Sequence, residues 1–212
     1  TKAMKMVAAA KLRKSQENME KARPYENRLQ GLISNLVQDI NLQSIPLLKS
    51  NDTITTVGFI IVTGDRGLAA SFNTNIIKKA EQEISKIGKD NAKLICIGKK
   101  GYEYFYKRNY NVIKEYVDFW NNLTFNQAIN IGEAVKNLFL SSEVDEVKVV
   151  FNYFKNVATQ KVIFESLLPI KPKIQDGNDL QIYNDIIFEP SKEQILKILI
   201  PKHLNTQIWK YL

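Results

Sequence analysis

The first forty residues, TKAMKMVAAAKLRKSQENMEKARPYENRLQGLISNLVQDI, constrain this chain most, because they read as one continuous helix from Thr1 to Ile40. At ~1.5 Å rise per residue such a helix is roughly 60 Å long, more than the width of a compact domain of this mass. It must project, and something must cover its apolar stripe. From Met19 that stripe steps by threes and fours through Ala22, Glu26, Leu29, Ile33, Leu36 and Ile40. This is a coiled-coil seam with one polar interruption. Upstream, Ala3, Ala8, Ala9 and Ala10 make the helix thin enough for another to approach closely, and Met4 and Met6 adapt to more than one surface. The first 23 residues also carry seven basic side chains (Lys2, Lys5, Lys11, Arg13, Lys14, Lys21 and Arg23) against Glu17 and Glu20. A charge run is ordinarily a solvated face. The length and small residues of this helix favour instead one that meets acidic partners while burying its narrow side. Pro24 removes a backbone donor and predicts a bend near Arg23 to Tyr25.

The whole chain, 212 residues at 44% hydrophobic content, supplies one ordinary core. A net charge of +8 points towards anionic partners: nucleic acid, acidic protein surfaces or lipid headgroups. The single cysteine, Cys96, excludes an internal disulfide and fits a reducing compartment. No apolar run approaches the ~20 residues that span a bilayer, and no signal peptide is visible. The chain opens without Met, and it opens and closes inside helical patterns, so it reads as part of a longer protein.

Ile45 to Asp52 reads as a polar connection, and Val57 to Val62 (VGFIIV) as a strand buried on both faces. Thr63 to Gly67 turns the chain, and Asn73 or Thr74 is placed to cap a helix ending at Ile87. Lys93 to Ile97 is a second strand, followed by a short helix from Lys99 to Arg108 and a third strand over Asn111 to Tyr116. Thr124-x-x-Gln127 is a capping box that opens a helix to Leu140. Glu146 to Tyr153 and Gln160 to Leu168 are strands joined so tightly that they must run antiparallel. Alternating strands and helices imply right-handed crossovers. The expected fold is α/β: a three-layer α/β/α sandwich with a mostly parallel five-stranded sheet. Lys171 to Asp185 is a polar loop. Ser191-x-x-Gln194 starts a last helix with the stripe Leu196, Ile200, Leu204, Ile208 and Tyr211, bent or restarted at Pro201. Two striped terminal helices, neither with a partner in the domain, pair most simply with each other as an antiparallel coiled coil. The expected division is residues 1–52, 53–185 and 186–212.

Chemistry of its own is hard to find. Gly64-x-x-Gly67 meets neither the dinucleotide nor the P-loop fingerprint, and Gly98-Lys99-Lys100 stands where a dinucleotide fold wants an acidic residue. The loop reads as a tight turn with Asp65 and Arg66 pairing locally. One histidine, His203, and one cysteine build no metal cluster, and no nucleophile elbow is present. No catalytic, cofactor-binding or metal-binding residue is assigned. The competing function is nucleic-acid binding through a basic-aromatic patch from Tyr102 and Tyr104 to Arg108, although most aromatics fall in core patterns. A small nucleotide-using enzyme is a third reading.

TKAMKMVAAAKLRKSQ followed by ARPYEN resembles the N-terminal helix of bacterial ATP synthase gamma subunits, the central rotor stalk. GDRGLAASFNTNIIKKA and IPKHLNTQIWKYL are similar to the same family, in the same order, so the resemblance spans nearly the whole chain. It implies a non-catalytic rotor subunit that couples proton flow to ATP synthesis on a ring of alpha and beta subunits. The implied partners are that ring, the epsilon subunit and the membrane c-ring, with no nucleic acid, cofactor or small-molecule substrate. The implied location is the cytoplasmic face of a bacterial inner membrane, bound peripherally. Lys2, Met4, Lys5, Lys11 and Arg13 would then face acidic loops of the ring. Exposed Lys and Arg pairs, at ~0–1 kcal/mol each, suit a shaft that must not stall in a deep well. Leu29, Ile33 and Leu36 would form the seam that carries torque, and Glu189 would lie in the foot near epsilon and the rotor ring. Where the family continues its DRGL block with Cys-Gly-Gly, this chain has Ala69-Ala70-Ser71, which removes two flexible glycines. No cysteine-bearing insertion is present, so the redox switch of plant chloroplast relatives is not expected. The family's long C-terminal helix would follow Leu212.

Overall fold

A computed structural model of the chain describes residues 2–38, 40–67, 70–118, 120, 123–156, 159–172, 189 and 191–212. In chain order the elements are α1 (Lys2–Leu36), β1 (Val57–Val62), α2 (Ala70–Ile87), β2 (Ala92–Ile97), α3 (Lys99–Tyr106), β3 (Val112–Tyr116), α4 (Phe125–Leu140), β4 (Glu146–Asn156), β5 (Thr159–Leu168) and α5 (Lys192–Tyr211). The sheet order is β3-β2-β1-β4-β5. β1 runs parallel to both β2 and β4, β3 runs parallel to β2, and only β5 lies antiparallel, on β4.

The three-layer reading follows from which side chains point where. All six residues of VGFIIV are buried, because helices cover both faces of the sheet. Phe59, Ile61, Leu94 and Cys96 share one core with Ile76, Ala80 and Ile84 of α2 and Phe105 of α3. Their neighbours of opposite pleat, Ile60, Val62, Ile95 and Ile97, share the other core with Ala128, Ile131 and Val135 of α4. Leu196, Ile200 and Leu204 of α5 and Leu29, Ile33 and Leu36 of α1 join that second core.

Several local expectations are corrected. α1 ends at Leu36 rather than Ile40. The Asn41 side chain accepts the Gln43 N–H at 3.0 Å and starts a separate short turn, a local bond that competes with continuing the helix. The segment read as a polar connection buries Ile45, Leu47 and Leu48, and Ile170 N–H donates to Leu47 O at 2.8 Å. α2 has already begun at Ala70, so Asn73 is no cap. Its amide instead accepts from Gly64 N–H at 2.8 Å and donates to Arg66 O, pinning the turn after β1.

Nor is α5 without a partner in the domain, for it packs on α4 and β4 as well as on α1. Gly132 of α4 makes this possible: a Cβ there would fall inside the Asn205 side chain. Both long helices continue through their prolines, Pro24 and Pro201. The two caps read from sequence are in place, with Gln127 accepting from Thr124 N–H and Ser191 Oγ accepting from Gln194 N–H at 3.2 Å. The polar loop over Lys171 to Asp185 lies mostly outside the described residues. Among the described residues no helix is long and apolar enough to cross a membrane.

Candidate functional site

Thirty-five residues of α1 correspond to about 52 Å of helix, and its two halves differ completely. At the root, Leu29, Ile33 and Leu36 are buried, Leu36 to 1% exposure, in the cluster that holds Leu196, Ile200, Leu204, Ile208 and Tyr211. Beyond Tyr25 towards the N-terminus most of the described helix residues are exposed. Lys2, Lys11 and Arg13 are all exposed there, and Arg13 pairs with Glu17 one turn on at 3.1 Å. Two apolar residues stand in water beside them, Met6 at 66% and Val7 at 57% exposure. Water is a poor environment for such side chains, so this basic, apolar-flecked surface is suited to a partner. The side chains of Met4 and Lys5 lie outside the described residues. Glu189 is exposed, and its neighbours 173–188 and 190 lie outside them too.

α1 and α5 run antiparallel. Glu26 meets Gln207 and Lys210, while further back along α1 Leu12, Ser15 and Gln16 share a cavity of about 350 Å³ with Trp209 to Leu212. In the sequence Glu26 reads as a mere interruption of the stripe. In the fold its Oε1 accepts from Gln207 Nε2 at 3.0 Å and lies 3.6 Å from Lys210 Nζ. One turn from these, the buried His203 has its pKa held below the ordinary value by burial, with Glu26 pulling it back up and Lys210 adding to the lowering. Tyr211 donates its hydroxyl to Glu165 of β5 at 2.8 Å, and burial raises its pKa, with Glu165 adding to the shift. No sequence signal names these partners, since they come from three separate elements.

The turn after β1 lies beside the point where the sheet order reverses, the place at which open α/β sheets bind ligands. Here it is filled from within. Asp65 does not pair with Arg66 as expected; its carboxylate accepts Lys99 N–H at 2.8 Å and Asp118 N–H at 3.1 Å. Thr63 Oγ1 accepts Gly101 N–H at 2.9 Å. The donors with which the start of α3 would hold a phosphate are thus met by the chain's own groups. Cys96 faces the α2 side of the sheet and His203 the α5 side, so they form no pair. Burial, with Glu115 adding to it, pushes the Cys96 thiol up to about 12.

The basic-aromatic patch is likewise occupied. Arg108 lies 3.7 Å over the Tyr104 ring and Lys89 lies 4.5 Å over Tyr110. Both hydroxyls donate to Glu81, at 3.0 and 3.4 Å. Cations thus already lie over the Tyr104 and Tyr110 rings, on which bases would stack.

With this geometry in view, the family model described as ATP synthase matches residues 1–212. The ATP synthase gamma chain of Chloroherpeton thalassium is 45% identical over 225 aligned residues, covering 100% of this chain and 74% of that one. Those of Chlorobium phaeobacteroides and Prosthecochloris aestuarii are each 43% identical, covering 99% of this chain and 73% of theirs. A chain from the central stalk and c-ring of the Tetrahymena thermophila mitochondrial ATP synthase shares the fold, with a TM-score of 0.74 at 22% identity, covering 99% of this chain and 89% of that one. The chain belongs to the ATP synthase gamma chain family.

Proposed function

We propose that this chain is the central-stalk rotor subunit of an F-type ATP synthase, non-catalytic itself. It couples proton translocation through the membrane sector to ATP synthesis or hydrolysis on the alpha/beta ring. One observation carries the reading: a single helix is locked into the domain at Leu29, Ile33 and Leu36, yet presents Met6, Val7, Lys11 and Arg13 uncovered further out. A helix fixed at one end and exposed at the other is what a shaft requires.

In this account α1 and α5 are the base of an antiparallel coiled coil, and the chain divides into residues 1–52, 53–185 and 186–212. Lys2, Met4, Lys5, Lys11 and Arg13 meet acidic loops of the alpha/beta ring. Glu189 belongs to the foot, where the epsilon subunit and the membrane c-ring attach. The subunit sits peripherally at the cytoplasmic face of a bacterial inner membrane.

The test is affinity purification of the tagged full-length chain from native membranes, followed by protein identification and an ATPase assay. Recovery with two larger subunits in several-fold excess and with ATPase activity is the expected result. Recovery alone, or with nucleic acid released by salt, overturns the proposal and promotes a basic binding module.

A further inference from the structure

Apolar contacts such as those of Leu29, Ile33 and Leu36 hold two helices together but are not directional. A helix so held can still shift by small amounts about its own axis while keeping much of that contact, and torque applied at its far end favours such a shift. Directional polar bonds resist it, which is why one polar residue within an apolar seam sets register in paired helices.

Glu26 occupies that position. It lies one turn above Leu29, where α1 passes from buried to exposed, and its side chain is 16% exposed. Two residues earlier stands Pro24, which removes a helix hydrogen bond and makes the backbone locally easier to bend or twist. Just beneath that soft point, Glu26 is held by Gln207 and Lys210, three residues apart on one face of α5. Their neighbour Tyr211 is in turn bonded to Glu165 of β5. Polar contacts therefore tie the shaft helix to α5, and a separate one ties α5 to the sheet.

We propose that Glu26 is a positioning residue that fixes the rotational register of α1 on α5, so that torque on the shaft reaches the α/β domain without slip. The functional part of this proposal rests on the rotor reading above, but the register itself can be measured independently of rotation.

The experiment uses the full-length chain with spin labels at Glu20→Cys on α1 and Lys197→Cys on α5, both exposed positions. Cys96 is buried and does not interfere. With Glu26 intact, pulsed dipolar spectroscopy should give one narrow distance. Glu26→Leu should broaden or shift it while circular dichroism shows the helices retained. Glu26→Gln keeps an acceptor for Gln207 and should restore the narrow distance, as should the exchange of Glu26→Lys with Lys210→Glu. In the reassembled ATP synthase, Glu26→Leu should lower the protons pumped per ATP hydrolysed, and Glu26→Gln should not. An unchanged distance in Glu26→Leu, or equal broadening in Glu26→Gln, overturns the register role whatever becomes of the rotor reading. Changed distances with unchanged proton-to-ATP ratio overturn the torque role alone.

Discussion

The Asp65 carboxylate accepts the backbone N–H of Lys99 at 2.8 Å, so the first turn of α3 is closed by an anion from the chain itself. The other oxygen holds Asp118 N–H, tying the ends of β1, β2 and β3 together. Asp65→Ala should destabilise the domain by about 1–2 kcal/mol, and Asp65→Asn by less, since an amide oxygen still accepts. Urea unfolding checks both. ATP added to the protein should show no saturable binding by calorimetry; a micromolar isotherm contradicts the internal filling of this site.

Much of this arrangement could be read from the residues. VGFIIV can be buried over its whole length only in a sheet covered on both faces, and the short link between β4 and β5 forces their antiparallel pairing. Leu29, Ile33 and Leu36 declare a seam through their spacing. What could not be read depends on contacts between elements. Nothing near Asp65 says that the N–H its carboxylate accepts lies 34 residues on, at Lys99. The small side of Gly132 does not reveal that Asn205 packs into it, so α5 looked partnerless. Glu26 looked like a flaw in a stripe because its partners stand 181 residues or more away. The bond through which Asn41 ends α1 is local, but it competes with a helical pattern that continues past it.

Glycine positions give opposite outcomes for the same substitution. Gly98 has φ +91°, and a Cβ there would collide with the Thr63 carbonyl, so Gly98→Ala should cost about 3 kcal/mol or more. Gly31 lies within α1 with nothing within 4 Å of an added Cβ. Gly31→Ala should therefore stabilise by about 0.5–1 kcal/mol. Thermal unfolding of the two variants checks the contrast.

Acid should erode stability in two stages. The folded state depresses the His203 pKa, mainly through burial, so the unfolded chain takes up the proton first. Stability is then full above about pH 6.5 and falls as the pH drops from there towards the folded value. His203→Leu should flatten that limb. Asp145 follows at lower pH: N–H donors of Thr56 and Thr55, with the Thr55 hydroxyl and Asn51, hold its pKa below the usual carboxylate range. Its contribution is present above the unfolded value and lost as the pH falls through the folded one. Glu83 and Glu143, also held low by neighbouring lysines, contribute to this second limb as well. Asp145→Ala should reduce it and leave the first unchanged in urea midpoints measured against pH.

The seam and the exposed helix should separate cleanly by mutation. Leu36→Ala should cost about 2–5 kcal/mol of stability, as expected for a fully buried leucine. Leu29→Asp with Leu36→Asp should loosen the shaft and lower both complex yield and torque. Reversing Lys5, Lys11 and Arg13 to Glu should leave the fold intact, because surface pairs such as Arg13–Glu17 contribute only ~0–1 kcal/mol. It should weaken assembly and coupling with the ring. Unaltered assembly would leave these residues as solvated surface.

The most direct measurement is rotation itself. The full-length chain carrying Lys107→Cys, an exposed position on the α/β domain remote from the shaft, can be assembled with the alpha/beta ring, immobilised and labelled with a bead. Cys96, buried and held as the thiol, should leave the introduced cysteine as the reactive one in this region. The rotor account predicts unidirectional turning of the bead on addition of ATP, slowed or uncoupled by Leu29→Asp with Leu36→Asp. A bead that stays still while the same complexes hydrolyse ATP would contradict it.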